Sequence, residues 1–219
     1  MRKILFVLIL FLICACGAKQ IPEWKSTSAR QLENYKYYFL TDKESKSEPH
    51  FLQAKKAIAR SNDFNLLGTV YLTRYALYIS IVDNFDDSDF LRINKLQPNA
   101  ENFSYYNFIK GNFHAADYNL LPAHYSKLLK PAQDKDFATA FREISSIDDP
   151  LSRLVACGVW VKYLPYDDNI LQIAINTAAD NGWGRPLFAY LTKLQQYYLD
   201  HHEAVKAESI KERLELLKK

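Results

Sequence analysis

The residue pattern of this chain predicts an all-α fold: antiparallel helical hairpins, stacked as a short array or packed as an irregular helical bundle. Three observations carry the prediction. Apolar residues recur at i, i+3, i+4 and i+7 through most of the sequence. These stripes open on Asp, Ser and Pro, the residues that start helices. Only six glycines occur, against fifteen tyrosines and thirteen phenylalanines. So few glycines argue against a many-turned β-sandwich. Abundant Tyr suits packed helices whose inner faces are half wet.

Taken in order, the segment from Ala18 to Ala29 is polar, with Pro22 and a Ser/Thr cluster, and reads as a tether. Arg30 to Leu40 carries Leu32, Tyr35, Phe39 and Leu40 at helical spacing. A charged loop, Thr41 to Ser47, leads to Ser47-Glu48-Pro49, read as a cap and first turn. Leu52, Ala54, Ala57 and Ile58 then form a short stripe. Ser61-Asn62-Asp63 breaks it and caps one long helix, Phe64 to Val82. Its end, Tyr78 to Val82, is β-branched enough for a strand, but no hairpin partner is evident.

The acidic run Asp83 to Asp89 reads as a solvated loop and helix cap. A calcium loop of the EF-hand kind needs carboxylates at alternate positions and Gly at the sixth. Phe85 and Ser88 occupy the third and sixth places, so the match fails. Between Leu91 and Pro131 the signal is weakest; Ala100–Ile109 and Ala123–Leu129 look helical, and a binding loop could lie here. The C-terminal third is clear. Phe137, Ala140, Phe141 and Ile144 form one stripe. Asp149-Pro150 opens the next, with Leu151, Leu154, Val155, Gly158 and Val159 on one face, until Pro165. Asp168 is read as the cap of a helix running to Asn181-Gly182. Pro186 opens another through Leu187, Tyr190, Leu191, Leu194 and Tyr198. Ala207, Ile210, Leu214 and Leu217 stripe a charged last helix.

The N-terminus carries a separate signal. Arg2 and Lys3 precede an unbroken apolar run, Ile4 to Ile13. A spanning helix needs about 20 apolar residues, so the run suits a secretory signal segment. It ends in Ile13-Cys14-Ala15-Cys16, which resembles the lipobox of bacterial lipoproteins. That resemblance implies residues 1–15 as signal peptide and Cys16 as the lipidated mature N-terminus. Residues 16–29 then form the lipidated start and tether, and 30–219 the helical domain. The alternative is an ordinary signal peptide cut after a small residue. Lipoproteins of this class carry two or three acyl chains, and several chains hold firmly where one binds marginally. Gly17, in place of the Asp that retains enterobacterial relatives in the inner membrane, implies the outer membrane.

Composition narrows the partners. Taking Arg2 and Lys3 from the 28 basic residues leaves one more base than the 25 acids. A nearly neutral mature chain offers no electrostatic case for nucleic acid. Cys14 would leave with the signal peptide and Cys16 would be acylated. Cys157 then stands alone, without a disulfide partner. Its apolar neighbours read as core.

Phe64-x₂-Leu67-Gly68-x₂-Tyr71 resembles the first-helix pattern of tetratricopeptide repeats, with Phe in place of Trp. The second-helix alanine would fall on Ser80, with no turn before it. Leu194, Tyr198 and Ala207 match part of a second copy. The resemblance implies architecture only: αα-hairpins whose small Gly lets a neighbouring helix approach.

Catalytic signatures are missing from the sequence. There is no G-x-S-x-G, H-E-x-x-H, C-x-x-C or phosphate-binding glycine loop. His201 and His202 are adjacent, so on a helix they point about 100° apart and share no ligand face. Asp148-Asp149 and Asp167-Asp168 stand at helix starts, where the dipole explains them. No metal site and no cofactor is expected.

The lipoprotein resemblance therefore implies an outer-membrane protein facing the periplasm, attached through its lipid, with an envelope protein as partner. Its body would act as an adaptor or assembly factor, binding a partner segment between helices. Tyr71, Tyr75, Tyr78, Trp183 and Tyr190 are nominal groove anchors. A glycan-acting enzyme would instead show a deep pocket with converging carboxylates. A lipid carrier would show a closed apolar cavity.

Overall fold

The computed structural model describes residues 22–217. The signal segment, Cys16 and the first part of the tether lie outside the described residues. Among the described residues there are eleven α-helices, one short 3₁₀ turn and no strand. The helices are α1 (Glu23–Leu40), α2 (Glu44–Ala59), α3 (Phe64–Ile79), α4 (Ser88–Leu96), α5 (Ala100–Ile109), α6 (Ala123–Asp134), α7 (Phe137–Ser145), α8 (Pro150–Tyr163), α9 (Asp168–Asp180), α10 (Gly184–Asp200) and α11 (Ala204–Leu217). The 3₁₀ turn is Tyr118–Leu120.

Most consecutive helices pack on each other as hairpins: α1 on α2, α6 on α7, and α8 through α11 in series. Two helices depart from this simple ladder. α3 touches α1, α2, α4, α5 and α8, and α10 returns to α1. This central position explains the composition of α3, FNLLGTVYLTRYALYI, which is apolar nearly all round. One continuous cluster of buried side chains runs from Tyr35 to Leu214.

Two glycines sit at close approaches between helices. A Cβ on Gly68 would stand 3.2 Å from Asn102 and 3.6 Å from Phe90, so this position lets α4 and α5 lie against α3. A Cβ on Gly158 would stand 1.9 Å from the carbonyl oxygen of Ile79, where α8 crosses the end of α3.

Five helix starts are closed by side-chain caps, four of them acidic. Asp63, Asp136, Asp149 and Asp167 each accept a backbone N–H two or three residues on, and Asn99 does the same. Such a cap contributes about 1 kcal/mol. The ends share a second device. After six helices the next N–H bonds back to the carbonyl five residues earlier: Lys43 to Tyr38, Asp83 to Tyr78, Asn112 to Asn107, Asp136 to Pro131, Trp183 to Ala178 and Glu203 to Tyr198. The residue before each of these N–H groups has positive φ. Only two are glycine, Gly111 and Gly182; the others are Asp42, Val82, Lys135 and His202. A non-glycine residue there costs about 1 kcal/mol, which the packed helices on either side must outweigh.

Several boundaries differ from the sequence reading. α1 begins at Glu23, not Arg30: Pro22 precedes it, and the hydroxyls of Ser26 and Ser28 donate to the carbonyls of Glu23 and Lys25. Trp24, in the expected tether, packs against the core. Ser47 is not a cap but a buried residue inside α2, its hydroxyl turned back to Glu44. α3 stops at Ile79, and Val82 takes φ +58°, so the β-branched tail forms a turn and no strand. Ser88–Leu96 is a helix that the periodicity did not reveal. α9 is capped by Asp167, and Asp168 instead accepts from the Tyr198 hydroxyl at 3.1 Å.

Candidate binding groove

A cleft of about 690 Å³ lies between α1, α3, α5, the 3₁₀ turn, α6 and α8. Its floor is apolar: Leu72 and Ala76 from α3, Leu121 just after the turn, Leu151 and Val155 from α8. Tyr105 and Tyr125 form one wall, their rings stacked 5.6 Å apart. Lys36, Glu101 and Asp149 supply charge at the rim. Lys36 is held by Glu33 at 2.6 Å.

Two smaller depressions adjoin this cleft. One, of about 330 Å³, shares Lys36, Asp149 and Leu151 with it and ends on Trp183. The other, of about 390 Å³, shares His124 and Asp149 and ends on Glu143 and Asp148. Asp149 lines all three, so they meet at the start of α8. The position of Asp149 is set locally: its carboxylate accepts from the Ser152 N–H at 2.7 Å, and Pro150 opens the helix. The groove is thus anchored to a rigid helix end.

His124 stands where two of the depressions join. Its ring lies edge-on to Tyr125, centroids 4.1 Å apart, and Nε2 is shielded with no hydrogen-bond partner among the described residues. Burial pushes the imidazole below its ordinary pKa of 6.5, against the opposing pull of Asp149. The unfolded chain therefore takes up this proton first. Below about pH 6.5 the folded state loses stability as pH falls, until the folded pKa is passed. Urea titrations at pH 7 and pH 5.5 should show a larger loss for the native chain than for His124→Gln. Equal losses in both would mean that His124 is as easily protonated folded as unfolded.

The five aromatic positions singled out from sequence separate into three environments. Tyr71, Tyr75 and Tyr78 lie on one side of α3 and line a different cleft, of about 400 Å³, against α2 and the loop before α4. Tyr75 is almost wholly buried, stacked on Phe85 at 4.5 Å. The Tyr71 hydroxyl donates to Asp89 at 2.9 Å; burial first, and then this bond, push its pKa to about 12. Trp183 borders the small depression beside α8. Tyr190 is not a groove residue: it is completely buried beneath α8, its hydroxyl 3.4 Å from the Leu154 carbonyl.

The acidic run Asp83 to Asp89 is not a free loop. Lys162 of α8 donates to the Asp83 carbonyl and to Asn84, and Tyr106 of α5 and Lys110, which caps that helix, both donate to Asp87. Burial works to raise the Asp87 carboxyl, but the bonds from Lys110 and Tyr106 outweigh it and hold the group below the usual carboxylate range. Its acids hold helices together. Among the described residues no three His, Cys, Asp or Glu side chains are placed to hold a metal ion. No described helix is long and apolar enough to cross a membrane.

The sequence reading missed the residues that line the main groove. Asp149 was legible only as a cap, and His124 carried no signal of its own. Lys36, Tyr105 and Tyr125 had no distinguishing local pattern. Fold and groove together define a class: an all-helical, hairpin-packed protein with an aromatic-walled cleft at the start of a central helix. No protein-family model, curated protein or solved structure matches the chain.

Proposed function

We propose that this chain is a bacterial outer-membrane lipoprotein, held by lipid on Cys16, whose helical body is a periplasmic adaptor or assembly factor for an envelope protein. The groove that meets at Asp149 carries the reading. It combines an apolar floor, two stacked tyrosines and a charged rim, the combination that recognises a peptide segment. The lipobox-like residues Ile13-Cys14-Ala15-Cys16 support the anchor.

A second reading, an enzyme acting on glycans, draws on Glu101 and Asp149 sharing the cleft. Asp149 already serves as the cap of α8, which ties its orientation to the helix. A lipid-carrying function would call for an enclosed apolar cavity, whereas this cleft has a polar, charged rim.

The test compares the native chain with Cys16→Ala in cells fed labelled palmitate, followed by purification from detergent-solubilised membranes. The native chain should take up label, fractionate with the outer membrane and bring down a partner. Cys16→Ala should take up none, and the partner should be depleted. Absence of label in both forms, with identical fractionation, would sink the lipid anchor. A labelled native chain with no partner would sink the adaptor function.

A further inference from the structure

The three depressions that meet at Asp149 have a charge pattern that selects among partners. Their rims carry five acids, Glu33, Glu101, Glu143, Asp148 and Asp149, against two bases, Lys36 and Lys127. One of the bases, Lys36, is taken by Glu33. Among the described residues no ion pair reaches Glu101, Glu143, Asp148 or Asp149. The whole mature chain would be nearly neutral, so this excess is local to the groove. It is also polar along its length. Apolar side chains floor the central cleft, and the acids concentrate at the end formed by the α7–α8 turn, where Glu143, Asp148 and Asp149 line the depression with Lys127.

Resting on the adaptor reading, we propose that the groove takes an extended segment of a partner protein in which an apolar side chain is followed by Lys or Arg. The apolar side chain sits on Leu72, Leu151 and Val155, against the wall of stacked tyrosines. The cation reaches Glu143 and Asp148. An acidic segment would meet like charge, and a basic segment without apolar residues would leave the floor wet; both are disfavoured. Charge sets the choice between segments, and apolar burial supplies most of the affinity.

The experiment uses the lipidated full chain in phosphatidylcholine nanodiscs, with empty nanodiscs as the blank. Three fluorescein-labelled decapeptides are titrated by anisotropy: alternating Leu and Lys, alternating Leu and Glu, and alternating Ser and Lys. The Leu/Lys peptide should bind about tenfold tighter than either of the others. Glu143→Gln with Asp148→Asn should weaken it about fivefold. Glu212→Gln with Glu215→Gln, an equal charge change on α11, should leave it unaltered. Equal binding of the Leu/Glu peptide, no binding of Leu/Lys, or an equal loss from the α11 pair would overturn the inference. A partner still recovered in a Cys16-dependent way alongside failed peptides would leave the adaptor reading standing and remove only this one.

Discussion

Gly158→Ala is expected to destabilise the protein by about 3 kcal/mol, the upper end for inserting a methyl group into a packed core. In an isolated helix the same change would help by about 1 kcal/mol, because glycine is the poorer helix former. Tertiary packing reverses the sign. The added Cβ would stand 1.9 Å from the Ile79 carbonyl oxygen and 2.7 Å from its carbon, both backbone atoms with no rotamer to escape into. The Ile79 carbonyl also accepts from the Val82 N–H at 2.8 Å, so moving it disturbs the turn that ends α3. Relief requires α3 and α8 to separate, and these are the helices on which the main groove is built. Thermal unfolding should fall by roughly 10 °C. Gly184→Ala is the control, since among the described residues nothing lies within 4 Å of its Cβ position. A Gly158→Ala protein that melts with the native chain would mean that α3 and α8 do not approach this closely.

Tyr190→Ala should cost about 3–5 kcal/mol, the range for truncating a large buried aromatic. The side chain is wholly enclosed, between Leu154 of α8 and the body of α10, so its removal leaves a cavity that the surrounding helices cannot fill without shifting. Against a typical domain stability of about 5–15 kcal/mol this is a large share. Tyr190→Phe keeps the ring and loses only a long hydrogen bond, so it should cost about 1 kcal/mol. Trp183→Ala, at a partly buried position, should cost clearly less than Tyr190→Ala. Urea midpoints for the three variants check the order. Should Trp183→Ala prove the more damaging, Tyr190 would not be the core residue of the pair.

The contrast between Tyr190 and Trp183 shows how far helical spacing carries an argument. Leu187, Tyr190, Leu191 and Leu194 announce one face of α10, and Tyr190, Leu191 and Leu194 are buried as that face requires. Spacing alone cannot say which large aromatic lies inside the face and which sits at its edge, because both satisfy the same period. Similarly, Tyr71, Tyr75 and Tyr78 share a side of α3, yet that side faces α2 and the acidic loop and not the main groove. The acidic loop was legible as a calcium mismatch, but not as a joint. Its partners Tyr106, Lys110 and Lys162 come from α5, the cap of α5 and α8, and no local pattern links them to it.

A turn explains why the end of α3 was misread. A helix end is easiest to read where glycine follows it, because glycine alone takes positive φ without steric cost. Here Asp42, Val82, Lys135 and His202 occupy that place. The same substitution makes the glycine content low, so the feature that argued for helices also concealed where they stop.

The sequence by itself determined the all-helical class, several helix starts and most core stripes, because these depend on period and on side chains bonding within three residues of themselves. The tertiary structure alone decided which helices lie at the centre, where the close approach at Gly158 falls, and that Lys36, Leu72, Tyr125 and Asp149 border one cleft. Those positions are scattered through the chain, and only the packing of α1, α3, α6 and α8 brings them together.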